Sequence, residues 1–346
     1  MRALCLIATG ASPQLEIIDR PPPLLTRPTE VRIGIHAAAL NHLDIWVARG
    51  TAGLKTPPLP HVVGSDGAGT VLETGRDVTH VRPGDRVVIN PGVSCGECES
   101  CAAGEEVYCR AFGVLGEHFP GTAAEEVVLP GRNVAAIRGD WSWAEAAAFP
   151  LSTLTAWRML TTRARIAAGE QLLIWGVGGG VGVAALQIAR HLGARAAVTS
   201  SSARKLERAQ VLGAEIGINH ADPALVPAEV KRHFGSGAHV VVDTVGAPTW
   251  QHSLRALRPG GRLVTCGATG GPAVEIDLRR LFWFQWSLLG STMGTSREFA
   301  AIVALGETGV LRPPIDAVVP LAHASEAYRR LAGGEQFGKL VLEVVP

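Results

Sequence analysis

Residues 171–191 limit most strongly how this chain can fold. Gln171-Leu-Leu-Ile-Trp175 is a short apolar run. Gly176-Val-Gly-Gly-Gly-Val-Gly182 places five glycines in seven residues, and Val183-Ala-Ala-Leu-Gln-Ile-Ala-Arg190 has helical spacing. A strand that enters a helix through glycines opens a βαβ unit. The N–H groups exposed at such a helix start attract an anionic pyrophosphate. The same region holds 19 consecutive uncharged residues, 171–189, which approaches membrane-span length. The glycines divide it into strand, turn and helix, so no membrane association is expected.

The pattern continues beyond the turn. Residues 194–199, 216–219, 240–243 and 262–266 read as short strands, and 203–212 reads as a helix. Strands alternating with helices imply a parallel sheet covered on both faces, so the expected fold class is α/β with a doubly wound sheet. The first part of the chain differs. Strand-like runs at 30–39, 62–73 and 85–89 are punctuated by Pro21-Pro-Pro23, Pro57-Pro58 and Pro60, which predicts a β-rich domain. Residues 339–345 read as a last strand. A chain of 346 residues suggests two domains. Its 47% hydrophobic content and net charge of +1 exclude global disorder and argue against a nucleic-acid or membrane-surface binder. The apolar run at the N-terminus is too short for a signal peptide, so a cytoplasmic protein is expected.

Four of the six cysteines are clustered as Cys95-x2-Cys98-x2-Cys101-x7-Cys109. Four thiolates complete a tetrahedral zinc shell and leave no open position, so the expected metal is one structural zinc per chain. Two disulfides are the competing reading, disfavoured without a secretion signal. Glu97, Glu99, Glu105 and Glu106 flank the cluster, which disfavours a nucleic-acid knuckle. Cys5 and Cys266 stand alone in apolar strands and read as packing.

The turn assigns Gly176, Gly179, Gly180, Val181 and Gly182 to cofactor binding, with glycines spaced Gly176-x-x-Gly179-x-x-Gly182 rather than as strict G-x-G-x-x-G. The end of the second strand chooses between nucleotides. An NAD site places an acid there to hold the ribose 2′-hydroxyl. Here the residues are Ser200-Ser201-Ser202-Ala-Arg204-Lys205, without an acid. Hydroxyls and cations suit a 2′-phosphate, so Ser200, Arg204 and Lys205 are assigned to it and NADPH is preferred over NADH. Lys205 is one of only four lysines among 32 basic residues.

Together with Val241-Val-Asp-Thr-Val-Gly246, Leu257-Arg-Pro-Gly-Gly-Arg-Leu-Val264 and Phe337-Gly-Lys-Leu-Val-Leu342, these features resemble the medium-chain dehydrogenase/reductases, which include the zinc alcohol dehydrogenases and the quinone oxidoreductases. The resemblance spans the chain. It implies a GroES-like β-barrel catalytic domain from residues 1–147 and 295–346, with a zinc lobe at 92–112. It also implies a Rossmann-type domain over 148–294, an active site in the cleft between the domains, a small-molecule substrate and a homodimer or homotetramer. Asp243 joins the cofactor-binding set on the same basis.

The branch within that superfamily rests on three positions. Zinc alcohol dehydrogenases carry a first-loop Cys, a Gly-His-Glu motif and a third soft or acidic ligand. The matching residues here are Asn41, Ser65 and Leu151, and Leu43 and Trp46 take the proton-relay positions. Asn, Ser and Leu do not supply the three ligands that a catalytic zinc needs. Asn41-x-x-Asp44 and Gly64-Ser-Asp-Gly67 look like the quinone oxidoreductase branch. The expected function is reduction of quinones or conjugated enones by direct hydride transfer from NADPH. Asn41, Ser65 and Thr155 are the expected catalytic residues, placed by the resemblance around the nicotinamide, while Asp44 and Asp66 orient loops. Two alternatives stay open: a zinc-type alcohol dehydrogenase with improvised ligands such as His42 and Asp66, and an NADPH-binding sensor without turnover. His42 also reads as a general acid or as a bonded structural group. Phe282-Trp-Phe-Gln-Trp286 reads as core or subunit packing, or as the lining of a flat substrate pocket.

Overall fold

The computed structural model describes residues 1–51 and 57–344. The last residue of the expected strand 339–345 lies outside them; the strand observed is Lys339–Glu343. The chain divides into two units, Met1–Ser152 with Gly294–Pro346, and Thr153–Met293. Among the described residues no helix is long and apolar enough to cross a membrane.

The unit Thr153–Met293 is built on a six-stranded parallel sheet. Its order across the sheet is Ile216–Asn219, Arg195–Ser200, Gln171–Ile174, Ala238–Val242, Leu257–Thr265 and Ser287–Gly290. The first strand in sequence is therefore central and the order reverses beside it, as in Rossmann-type doubly wound folds. Leu172, Leu173 and Ile174 are wholly buried, because a central parallel strand has both faces covered. The helix Gly180–His191 buries Val183, Ala184, Leu186 and Ile188. The strand expected at 262–266 begins earlier, at Leu257. A shift in pairing between Ala238↔Leu257 and Val240↔Arg262 absorbs Arg258-Pro-Gly-Gly261 as a bulge. Ser287–Gly290, not anticipated from sequence, closes one edge of the sheet. Just before it, Phe282 and Trp283 are 68% and 75% exposed, while Trp286 is buried and stacks on Phe284.

The GroES-like unit contains a seven-stranded sheet. Its path runs Val134–Ala136, Arg86–Ile89, Asp66–Thr74, Glu30–Ala39, Lys339–Glu343 and Ile315–Pro320, with Glu126–Pro130 also paired to Glu30–Ala39. The strand Glu30–Ala39 alternates inward Val31, Ile33 and Ile35 with half-buried neighbours, the period of a one-sided strand. The C-terminal strand enters beside it, with Val341 opposite Ala39 and the Leu40 N–H donating to the Leu340 carbonyl at 2.9 Å. The run expected as one strand at 62–73 is broken into His61–Val62 and Asp66–Thr74. Between them the chain lies against residues 121–123, so close that a Cβ on Gly121 would stand 2.2 Å from the Val63 carbonyl oxygen. Gly64 turns there with φ +94°.

Candidate active site and metal centre

The four clustered cysteines converge. Their sulfurs all lie within 4.8 Å of one another, with separations of 3.5 Å for Cys95–Cys109, 3.6 Å for Cys98–Cys101 and 3.8 Å for Cys95–Cys101. Zinc bonded to four thiolates at about 2.3 Å needs sulfur separations of about 3.8 Å, so the set fits that ion. Backbone N–H groups of Cys98 and Ala111 donate to the Cys95 and Cys109 sulfurs at 3.4 Å. The N–H groups of Glu97 and Cys98 hold the Cys95 thiol down to about 6, which favours the thiolate. Among the described residues this is the one group of three or more His, Cys, Asp or Glu side chains arranged to hold a metal.

In the other unit, the glycine turn connects Gln171–Ile174 to Gly180–His191. Gly176 takes φ +69°, and a Cβ on Gly182 would stand 2.9 Å from the Gly176 carbonyl oxygen. The first N–H groups of the helix have no partner within it, so the turn suits a pyrophosphate. Gly179 is less constrained. It has φ −84°, and its nearest neighbour to an added Cβ is 3.9 Å away. Gly182→Ala is therefore expected to weaken NADH and NADPH binding alike by about tenfold or more, whereas Gly179→Ala is tolerated. Nucleotide titration of both variants checks this, and equal affinities in the two would remove the steric argument.

At the end of Arg195–Ser200, Ser202 caps the helix Ala203–Val211. Its hydroxyl accepts from the Lys205 N–H, and the Ser202 N–H donates to Ser200 Oγ at 3.1 Å. Arg204 is exposed and Lys205 half-buried on the first turn of that helix. Asp243 is engaged internally. It is wholly buried and accepts from the N–H groups of Val245 and Gly246 and the hydroxyls of Thr249 and Ser253. Those bonds hold the loop after Ala238–Val242 and leave the carboxylate no role as a direct nucleotide ligand.

In the GroES-like unit, Asn41, Asp66 and Lys339 form a buried cluster. Lys339 Nζ lies 2.6 Å from Asn41 Oδ1 and 2.9 Å from Asp66 Oδ2. Asn41 Nδ2 donates to the same Asp66 oxygen at 2.9 Å, and the Leu151 N–H donates to Asp66 Oδ1 at 2.8 Å. Lys339 is 3% exposed and Asp66 0%. Asp44 joins through the Asn41 N–H at 2.6 Å. Burial pushes its carboxyl up to about 7, against the pull of the Asn41 N–H and Lys339. Burial, with Lys339 nearby, pushes the His42 ring below its ordinary value.

This cluster corrects the direct role expected for Asn41. Its amide hydrogens go to Asp66 and, at 3.4 Å, to the Ala39 carbonyl, and its oxygen takes the ammonium. Asn41 is thus a positioning residue. Ser65 is wholly buried, and among the described residues its hydroxyl has no partner. Thr155 belongs to the other unit, where its hydroxyl donates to the Met293 sulfur at 3.9 Å. Among the described residues the improvised metal set of His42 and Asp66 gains no third ligand, and both Asp66 oxygens are engaged, one of them by a cation. Lys339 escaped the sequence reading. The available signal was a lysine inside an apolar strand of a chain that otherwise uses arginine.

Comparison with known proteins agrees with this architecture. The model of the alcohol dehydrogenase GroES-like domain matches residues 27–139, and that of the zinc-binding dehydrogenase matches residues 180–308. A solved structure of an NAD-dependent alcohol dehydrogenase is 44% identical, with a TM-score of 0.94 and both chains fully covered. The NAD-dependent alcohol dehydrogenase of Sulfolobus acidocaldarius is 30% identical over 99% of this chain and 100% of its own. The acryloyl-coenzyme A reductase of Metallosphaera sedula is 30% identical over 90% of this chain and 92% of its own. The spectinabilin polyketide synthase system protein NorB of Streptomyces orinoci is 34% identical over 92% of this chain, which spans only 13% of that protein's length.

Proposed function

Because the chain belongs to the zinc-binding dehydrogenases of the medium-chain dehydrogenase/reductase superfamily, and so is an NAD(P)-dependent oxidoreductase, we propose that it reduces conjugated enones or quinones with NADPH and without a catalytic zinc. The observation that carries this reading is the buried Lys339 ammonium bonded to Asn41 and Asp66. Both Asp66 oxygens are engaged, one of them by that ammonium, and the neighbouring Asn41 and Ser65 are poor zinc ligands, so the cluster offers a catalytic zinc no suitable donor set. Without a Lewis acid, an alcohol oxidation loses several kcal/mol of alkoxide stabilisation. Reduction of a conjugated system asks less. Bound NADPH supplies a hydride to the electrophilic carbon, and the oxygen that gains charge needs a hydrogen-bond donor and a proton. Ser65 and Thr155 keep hydroxyl hydrogens without a strong acceptor and are the candidate donors. A relative named acryloyl-coenzyme A reductase supports a conjugated substrate.

The second reading is an alcohol dehydrogenase, favoured by the names of the Sulfolobus relative and of the 44% identical structure. Elemental analysis separates the two. About one zinc per chain supports the reductase, and about two supports alcohols and aldehydes as substrates. Lys205→Ala is expected to weaken NADPH binding about tenfold or more while leaving NADH unchanged. Equal losses for both nucleotides would mean that Lys205 does not read the 2′-phosphate. The exposed Phe282 and Trp283 are the proposed subunit contact of a homodimer or homotetramer.

A further inference from the structure

Thr199 is wholly buried near the end of Arg195–Ser200, and its hydroxyl has two partners. The Gly176 N–H donates to Thr199 Oγ1 at 3.1 Å, and His220 Nδ1 lies 2.8 Å from the same oxygen. The backbone joins at this point as well, with the His220 N–H donating to the Ser200 carbonyl at 3.3 Å. The imidazole stacks on the Trp175 indole, centroids 6.0 Å apart and planes 21° from parallel. A hydroxyl has one hydrogen and two lone pairs, so Thr199 Oγ1 can accept from Gly176 and still donate to a neutral ring or accept from a charged one. In either case Nδ1 is engaged and Nε2 is the edge left to a ligand. His220 follows the strand Ile216–Asn219 directly, at the carboxyl end of the parallel sheet, where ligands of such sheets bind. It is one hydrogen-bonded step from the glycine turn and one from Ser200.

We propose that His220 is a specificity-determining residue, whose Nε2 edge in its charged form binds the 2′-phosphate of NADPH alongside Arg204 and Lys205. The inference rests on the NADPH reading and adds to it a dependence on pH. Around the ring are the neutral Trp175, Thr199 and Ser200. The charged groups on the adjoining segments are Arg204, Lys205 and Asp222, the last accepting from the Ala224 N–H. Burial holds the ring below its ordinary value in the free protein. A dianionic phosphate beside it raises that value. The added affinity is therefore fully present below the free-state value and is lost as pH rises through the bound-state value.

The test measures NADPH and NADH dissociation constants by nicotinamide fluorescence, for wild type and His220→Gln, at about pH 6 and about pH 8. His220→Gln is expected to weaken NADPH about tenfold at the lower pH and less than about twofold at the higher, with NADH unchanged at both. Titration of the phosphate itself is common to both proteins and cancels in the ratio. A wild type that does not prefer NADPH overturns the cofactor reading and this inference with it. A wild type that prefers NADPH, with a variant-to-wild-type ratio equal at both pH values, overturns the role of His220 alone. Histidine ring titration of wild type by NMR gives the same decision without a variant. NADPH but not NADH should raise one imidazole pKa, and no difference between the nucleotides refutes the proposal.

Discussion

Lys339→Met should destabilise the GroES-like unit by about 3–5 kcal/mol, the usual cost of removing one member of a buried ion pair. The substitution leaves the wholly buried Asp66 carboxylate with only the Asn41 amide and the Leu151 N–H. It also frees Asn41 Oδ1 from its ammonium. Most of the loss should return in the double variant Lys339→Met with Asp66→Asn, because the uncompensated charge is then gone. Asp44 adds a pH signature. Its carboxyl, already pushed up to about 7, loses the cation that was holding it down and moves further up. A carboxyl raised in the folded state favours folding at low pH and withdraws that support as pH rises toward its folded value. The variant's deficit should therefore widen only above about pH 7, where Asp44 ionises in wild type and stays protonated in the variant. Denaturant midpoints across pH measure this. A single variant as stable as wild type, or a double variant no better than the single, would show that the pair does not hold the segment.

Cys98→Ser should abolish stoichiometric zinc, taking the content from about one per chain to well below it, and lower the melting temperature strongly. Cys98 is at once a ligand in the cluster and the residue that begins the helix Glu99–Ala102. The lobe between the short strands Gly92–Val93 and Gly113–Val114 buries little besides Cys109, so zinc bonds are expected to be its main source of order. A chelator should lower the melting point of wild type toward that of the variant and leave the variant itself unmoved. Nucleotide affinity of the surviving protein should change little, because the glycine turn proposed to hold the nucleotide lies in the other unit. Full zinc content in Cys98→Ser would mean that a different donor set holds the ion.

The parts of this protein legible in its sequence share one property: their residues are close along the chain. The strand Glu30–Ala39 and the helix Gly180–His191 were readable from period and from glycines, since local geometry alone produces those patterns. Ser287–Gly290 was not, because it continues the apolar run Phe282–Trp286 with no turn residue to mark where a strand begins. The role of Asp243 was misread for a related reason. Its partners Thr249 and Ser253 are near in sequence, but only the packed loop shows that they consume the carboxylate.

By itself the sequence determined the clustering of four cysteines within 15 residues, the strand–turn–helix built on the glycines, and the lack of an acid at the end of the second strand. Spacing suffices there, because short segments have few ways to arrange their ligands. Only the tertiary structure decided what Asn41 does. Its oxygen meets an ammonium 298 residues away, and Asp66 meets the same group across 273. That meeting depends on the C-terminal strand pairing beside Glu30–Ala39, with Val341 opposite Ala39. Burial of the strand then forces the lysine to find its charge partner inside the protein.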